Sequence, residues 1–321
     1  MIDKKNLKIV FFGTPDFAVE SLRRLVDGGY NVVGVVTMPD KPAGRGHKLL
    51  QSAVKQFAVA HGLHLMQPVK LKDETFVDEL RGLNADLQIV IAFRMLPEVV
   101  WNMPPMGTFN LHASLLPKYR GAAPINWAVM NGDTETGVTT FFLKHEIDTG
   151  DIIQQRKIAI GRTDNVEVVH DKLMVMGADM VIETVESILD GSVHPIAQDK
   201  LLTRGIEPTP APKIFKDTCH IDWTRPAEAL YNHIRGLSPY PAAWTEIVDR
   251  DGEVHDVKVF ETGEPIAKRD THPGEITVDG KKLFVACVDG LLEIKSLQLA
   301  GKKRMPADAF LRGFDIDGCH C

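Results

Sequence analysis

The sequence predicts an α/β protein, a Rossmann-like domain built on a mostly parallel sheet and followed by a smaller antiparallel β-barrel domain. Three observations predict it. Residues 8–12 form a compact apolar run, residues 16–26 carry helical periodicity in Phe17, Val19, Leu22, Leu25 and Val26, and residues 31–37 are again apolar. A strand-helix-strand opening of this kind implies parallel pairing. Residues 87–93 form a continuous apolar run, as expected of a central strand covered on both faces. Beyond residue 240, short β-type runs alternate with Asp-Gly turns at 251–252, 279–280 and 289–290, which suits an antiparallel barrel.

The elements between these landmarks follow from local chemistry. Gly13-Thr14-Pro15 turns the first strand into the first helix, and Gly28-Gly29 closes that helix. One glycine at this turn falls short of the G-x-G-x-x-G spacing of a dinucleotide site, so the unit reads as scaffold, with Gly13, Thr14 and Phe17 as candidate pocket lining. Residues 39–48 hold prolines, glycines and a basic cluster; with nothing to bury, they are expected to be exposed and mobile. A helix over 50–61, a short strand over 63–66 and a helix over 73–80 precede the central strand.

Asn110-Leu111-His112 ends a further apolar run in alternating style, so the two polar groups share one face while Leu111 points into the core. Ser114-Leu115-Leu116-Pro117 turns the chain and Gly121 frees it, and Tyr119 and Arg120 read as braces of that turn. Pro124 starts a helix ending at Asn131-Gly132, residues 137–142 form a strand, and the loop 144–150 carries Asp148 back toward the same pocket. A strand over 152–158 and a long helix over 165–188 complete the domain, the methionines of that helix reading as core. Residues 193–213 hold four prolines and read as a linker. The second domain opens on Ile221-Asp222-Trp223 and a helix over 227–236. Strands follow at 243–248, 254–261, 274–278, 283–287 and 291–299, with a closing helix over 307–310.

At 321 residues the chain exceeds the usual single domain, so two domains are expected: 1–192, then 214–315 beyond the linker 193–213, with 316–321 as a tail. A formal net charge of -6 argues against indiscriminate coating of nucleic acid, though not against a local basic patch. The four cysteines lack metal-ligand spacing, and Cys319-His320-Cys321 reads as a frayed tail. No apolar run approaches a membrane span and residues 1–7 are polar, so the expected compartment is the cytoplasm.

The chemistry concentrates in Asn110, His112 and Asp148. An amide donor, an imidazole and a carboxylate suit attack of an amine on a carbonyl carbon, with no serine or cysteine nucleophile needed. The run N-L-H, then S-L-L-P-K-Y-R-G-A-A-P and, further on, D-T-G, resembles the signature of the tetrahydrofolate-dependent formyltransferases. The resemblance implies 10-formyltetrahydrofolate as co-substrate and no metal. It implies catalytic roles for Asn110, His112 and Asp148, and a folate site bordered by Ser114, Leu115, Leu116 and Pro117 and by Phe93, Arg94 and Met95. The family commonly has Tyr-Gly where this chain has Phe93-Arg94.

Lys41-Pro42-Ala43-Gly44-Arg45-Gly46 resembles the insertion by which members acting on initiator methionyl-tRNA enter the acceptor stem. Lys41, Arg45 and Lys48 are its candidate RNA contacts. The resemblance also makes the second domain an OB-like barrel that holds tRNA through Lys302, Lys303 and Arg304, a run that reads equally as solubilising surface. It implies no membrane and no obligate protein partner. The expected activity is formyl transfer to the α-amine of methionyl-initiator tRNA in translation initiation. A sugar-nucleotide N-formyltransferase would share Asn110, His112 and Asp148 without using the basic loop, and a noncatalytic RNA-binding module would leave those three without purpose.

Overall fold

The computed structural model describes residues 3–43, 48–202 and 205–321. They form two compact units. The first comprises Met1–Pro124, Gly137–Ile158 and His170–Ala211, the second Ile125–Thr136, Ala159–Val169 and Pro212–Cys321.

In the first unit β1 (Lys8–Gly13), β2 (Asn31–Val36), β3 (Lys41–Ala43), β4 (Lys48–Leu50), β5 (Leu65–Met66), β6 (Leu87–Ile91), β7 (Thr108–His112), β8 (Arg120–Gly121), β9 (Glu135–Phe142), β10 (Ile152–Ala159) and β11 (Pro210–Ala211) follow in order. Seven of them make one sheet in the order β10-β9-β7-β6-β1-β2-β5. β5, β2, β1, β6 and β7 pair in parallel, and β9 returns antiparallel to β7. The central strands are apolar because both faces are covered: Ile9 to Phe12 and Ile89 to Ile91 are all buried. Gln88 is the polar exception; its Oε1 accepts from Thr108 Oγ1 at 3.1 Å.

Helix α1 (Asp16–Asp27) buries Phe17, Ala18, Ser21, Leu22 and Leu25, one stripe of an amphipathic helix. α2 (Ala53–Ala60) and α3 (Glu74–Gly82) start on Ser52 and Asp73, whose side chains accept from Lys55 N and Phe76 N. A short helix α4 (Glu98–Trp101) follows β6. Lys41–Ala43 and Lys48–Leu50 are not plain loop, since β3 and β4 pair antiparallel in the register Lys41 to Leu50.

The second unit begins with α5 (Pro124–Met130), whose Asn126 Nδ2 donates to Gly236 O at 2.9 Å. The long α6 (Val166–Asp190) starts in this unit; of its methionines Met180 is buried, with Leu173, Ala178, Val181 and Val185 also buried, while Met174 and Met176 are half-buried. α7 (Asp199–Leu202) belongs to the first unit. α8 (Ala227–Leu237) buries Leu230, Tyr231, Ile234 and Leu237 against the second core.

The strands of that core are β12 (Ala243–Val248), β13 (Val254–Thr262), β14 (Ile266–Ala267), β15 (Ile276–Asp279), β16 (Lys282–Ala286), β17 (Gly290–Leu299) and β18 (Met305–Pro306), before α9 (Ala307–Leu311). They pair in the order β12-β13-β17-β16-β15, with β14 and β18 also on β17. The sheet is antiparallel, and among the described residues no strand pairing closes it into a barrel.

The tail corrects its expectation. His320 exchanges backbone hydrogen bonds with Val248 at 2.8 and 3.0 Å, and Cys321 N donates to Gly274 O at 2.8 Å. His320 thus bridges both Val248 and Glu275. A tail that satisfies exposed strand edges is held by them instead of fraying. Burial pushes the Cys321 thiol up to about 12.

Candidate active site

β7 presents Asn110 and His112 on one face. Leu111 turns to the other face and is buried against Gly177 of α6, whose missing Cβ would stand 2.7 Å from the leucine side chain. Close packing of helix on strand therefore fixes which way the two polar side chains aim. Asn110 is half-buried, and its amide has no hydrogen-bond partner among the described residues.

His112 is 7% exposed. Its Nε2 donates to Tyr119 O at 2.8 Å, which fixes the ring and leaves Nδ1 toward Asp148. Nδ1 and Asp148 Oδ2 are 3.8 Å apart, beyond a direct hydrogen bond. The carboxylate is itself aimed, because Gly121 N donates to its Oδ2 at 2.8 Å.

Tyr119 (φ 61°) and Asp148 (φ 56°) both hold left-handed backbone, uncommon for residues with a side chain. Such strain persists only where surrounding contacts over-determine it. Two glycines make those contacts. At Gly121 (φ 126°) a Cβ would fall 2.6 Å from Ala211 O, and at Gly150 it would fall 1.6 Å from Phe142 O. The glycine of D-T-G is therefore a close approach between the Asp148 loop and the end of β9.

Sequence reasoning missed Gln198, which sits within the proline-bearing stretch 193–213. It is 2% exposed, and its Nε2 donates to Asp148 O at 2.8 Å and Gly150 O at 2.9 Å. Its Oε1 accepts from Arg120 Nη2 at 2.7 Å and Nε at 3.2 Å. Arg120 thus braces the turn as expected, through a glutamine 78 residues away. In the same stretch Thr209 Oγ1 accepts from Tyr119 N at 2.9 Å, and β11 pairs with β8. The one local signal is a polar residue among prolines, which is too weak to find it.

The residues assigned to the folate site fall in two places. Ser114, Leu116 and Pro117 are buried under the turn and Leu115 is half-buried; Ser114 Oγ donates to Lys118 O at 2.7 Å. Arg94 and Met95 line a cleft of about 550 Å³ with Val69, Leu71, Pro97 and Val99, charged at Lys70, Lys72 and Glu98. Phe93 packs edge-on to Phe12 at 5.7 Å. Arg94 donates to Val69 O at 2.8 Å and also to Pro68 O, strapping two loops together. Burial pulls its pKa below the ordinary value, and its Nε is buried without a partner among the described residues.

Lys41 is exposed on β3, Arg45 lies outside the described residues, and Lys48 is described only as backbone of β4. Lys302, Lys303 and Arg304 are exposed in the second unit, so that charge run is available at the surface. No helix among the described residues is long and apolar enough to cross a membrane.

Residues 7–185 match the formyl transferase family and residues 213–315 its C-terminal domain. A methionyl-tRNA formyltransferase of Bacteroides fragilis is 64% identical over 98% of this chain and 97% of its own. One of Bacteroides thetaiotaomicron is 63% identical over the same shares. Among solved structures, an N-formyltransferase of Helicobacter canadensis in complex with folinic acid and dTDP-3-aminofucose superposes with a TM-score of 0.66 at 16% identity, over 93% of this chain and 100% of that one. At that identity the likeness shows a shared fold. The chain belongs to the formyl transferase family, within its methionyl-tRNA formyltransferase branch.

Proposed function

We propose that this protein transfers the formyl group of 10-formyltetrahydrofolate to the α-amine of methionyl-initiator tRNA in the cytoplasm. The observation that carries the reading is the site on β7: an unspent Asn110 amide beside a His112 ring fixed by Tyr119 O, with Asp148 3.8 Å from the free ring nitrogen. Near-full-length relatives at 63–64% identity support it.

The donor supplies a one-carbon unit at the formyl level. A cleft with an apolar wall, flanking lysines and an unspent Arg94 Nε–H fits a flat heterocycle with an acidic tail. Asn110 then donates to the formyl oxygen as the attacking amine charges it, and His112 donates from Nδ1 when protonated. Asp148 accepts the amine proton, directly or through water; as the tetrahedral carbon collapses, its bond to N10 of the folate breaks and N10 takes up a proton, releasing tetrahydrofolate and the formylated amine. Gly121 N–H and Gln198 hold Asp148 at its station.

The catalytic region is residues 1–192, joined through 193–213 to an OB-like tRNA-binding region over 214–315, with 316–321 as tail. The two family matches support that division. The antiparallel order, and a tail that bridges Val248 and Glu275 near the two sheet ends, support the OB-like reading. The tRNA contacts are Lys41, Arg45, Lys48, Lys302, Lys303 and Arg304. Incubation with the formyl donor and either charged initiator tRNA or an amino-sugar nucleotide tests the reading. Formyl-methionyl-tRNA is the expected product; transfer only to the sugar, or to neither, refutes it.

A further inference from the structure

The turn that follows β7 is held from the side by residues on two neighbouring strands. β9 runs antiparallel to β7 with Thr139 opposite His112, so the hydroxyl and the imidazole stand side by side on one face of the sheet. Thr139 and Ser114 are both wholly buried. Thr139 Oγ1 donates to Ser114 O at 2.6 Å and accepts from Leu116 N at 3.2 Å and from Gln155 Nε2 at 2.9 Å. A hydroxyl has one proton and two lone pairs, and here all three are spent. Gln155, on β10, also donates from Nε2 to Leu116 O at 2.8 Å.

Ser114 O, Leu116 N and Leu116 O are thus paired with side chains of the sheet, which ties the backbone of the turn to β9 and β10. Gly137, two residues before Thr139 and on the same face of β9, makes room for the turn as well: a Cβ there would fall 2.6 Å from the Leu115 side chain.

The turn passes this hold on to the ring. Ser114 Oγ donates to Lys118 O at 2.7 Å and Lys118 N to Leu115 O at 3.1 Å, which sets the next carbonyl, Tyr119 O, where it accepts from His112 Nε2 at 2.8 Å. That carbonyl selects the tautomer of the neutral ring, with the proton on Nε2 and Nδ1 open. The Asp148 carboxylate, 3.8 Å from Nδ1, pulls the other way, because it attracts a proton to the nitrogen it faces. Were Tyr119 O to drift, the ring would turn an Nδ1–H to Asp148, and the two groups would be spent on each other.

We propose that Thr139, backed by Gln155, is a positioning residue of the transfer: by stitching residues 114–116 to the sheet it holds Tyr119 O in place and keeps the His112 proton on Nε2. The inference rests on the reading that His112 serves formyl transfer. The test records the ring nitrogens of His112 by NMR in the isotopically labelled full chain, identified by their loss in His112→Asn, at about pH 8.5, where an ordinary imidazole is neutral. The unaltered protein is expected to show the Nε2–H tautomer. Thr139→Val keeps the shape and loses all three bonds, so its signals should move toward Nδ1–H and its kcat should fall on the order of 100-fold, with KM for charged tRNA little changed. Thr139→Ser keeps the hydroxyl and should restore the tautomer, with kcat within about threefold of the unaltered protein.

Gln155 is exposed, so Gln155→Ala spares the core; it should move the ring signals the same way and lower kcat about 10-fold. An unmoved Nε2–H spectrum in Thr139→Val, or in Gln155→Ala should the valine variant not fold, overturns the proposal, as does a serine variant that behaves like valine. If the ring signals move while the rate holds, the ring is held as described and it is the part of His112 in formyl transfer that falls.

Discussion

Gln198→Ala tests how the carboxylate of Asp148, proposed above to be catalytic, is held. The substitution removes four hydrogen bonds, two donated to the carbonyls of Asp148 and Gly150 and two accepted from Arg120. Each buried group left unpaired costs about 1–3 kcal/mol, so the Asp148 loop loses roughly 3 kcal/mol of local stability. Asp148 sits in left-handed backbone, and without the clamp that conformation relaxes. A displacement of about 1 Å at a reacting group costs on the order of 100-fold in rate. Steady-state formyl transfer should therefore show kcat down about 100-fold and KM for tRNA little changed, since Gln198 is 2% exposed and its amide is held by the Asp148 loop. Gln198→Glu keeps the pairing with Arg120 but sets an acceptor against two carbonyls, and it should be as slow as the alanine variant. A kcat within about threefold of the unaltered protein in both variants would refute the clamp, given the 100-fold expected of a misplaced carboxylate.

Three other perturbations follow from the same geometry. His233 is 4% exposed; burial, helped by the charge of Arg225, lowers its pKa from 6.5 to about 4. The folded state keeps it neutral while the unfolded chain binds a proton below 6.5, so stability is full above that pH and falls toward pH 4, by at most about 3 kcal/mol. Urea unfolding at several pH values should show this slope and His233→Gln should flatten it. Gly150→Ala drives a Cβ to 1.6 Å from Phe142 O, and denaturant unfolding should register a loss above about 4 kcal/mol. Arg94→Ala removes the strap to Pro68 and Val69 beside the cleft, so KM for the folate should rise about 10-fold at unchanged kcat.

Much of the fold was legible because its elements are local. The apolar runs of β1 and β6 mark strands buried on both faces, the Asp-Gly turns divide the second sheet, and the alternation at Asn110-Leu111-His112 set two polar groups on one face. Asp148 was legible through the motif that carries it. Gln198, Thr209 and the pairing of β11 with β8 were not, because a hydrogen bond across 78 or 90 residues leaves no periodic trace. The tail was misread for the same reason. Cys319-His320-Cys321 has no strand-like pattern of its own and is ordered by edges it meets only after folding. The replacement of Tyr-Gly by Phe93-Arg94 looked like a departure in a binding loop, and the structure turns it into a fastening of that loop to residues 68–69.

Single-turnover formyl transfer to methionyl-initiator tRNA by Asn110→Ala, His112→Asn and Asp148→Asn, with folate affinity measured alongside, tests the central claim most directly. The account predicts a loss of about 100- to 1,000-fold in each variant, with donor affinity retained. Rates within tenfold of the unaltered protein in all three, against that expectation, would mean that the chemistry happens elsewhere.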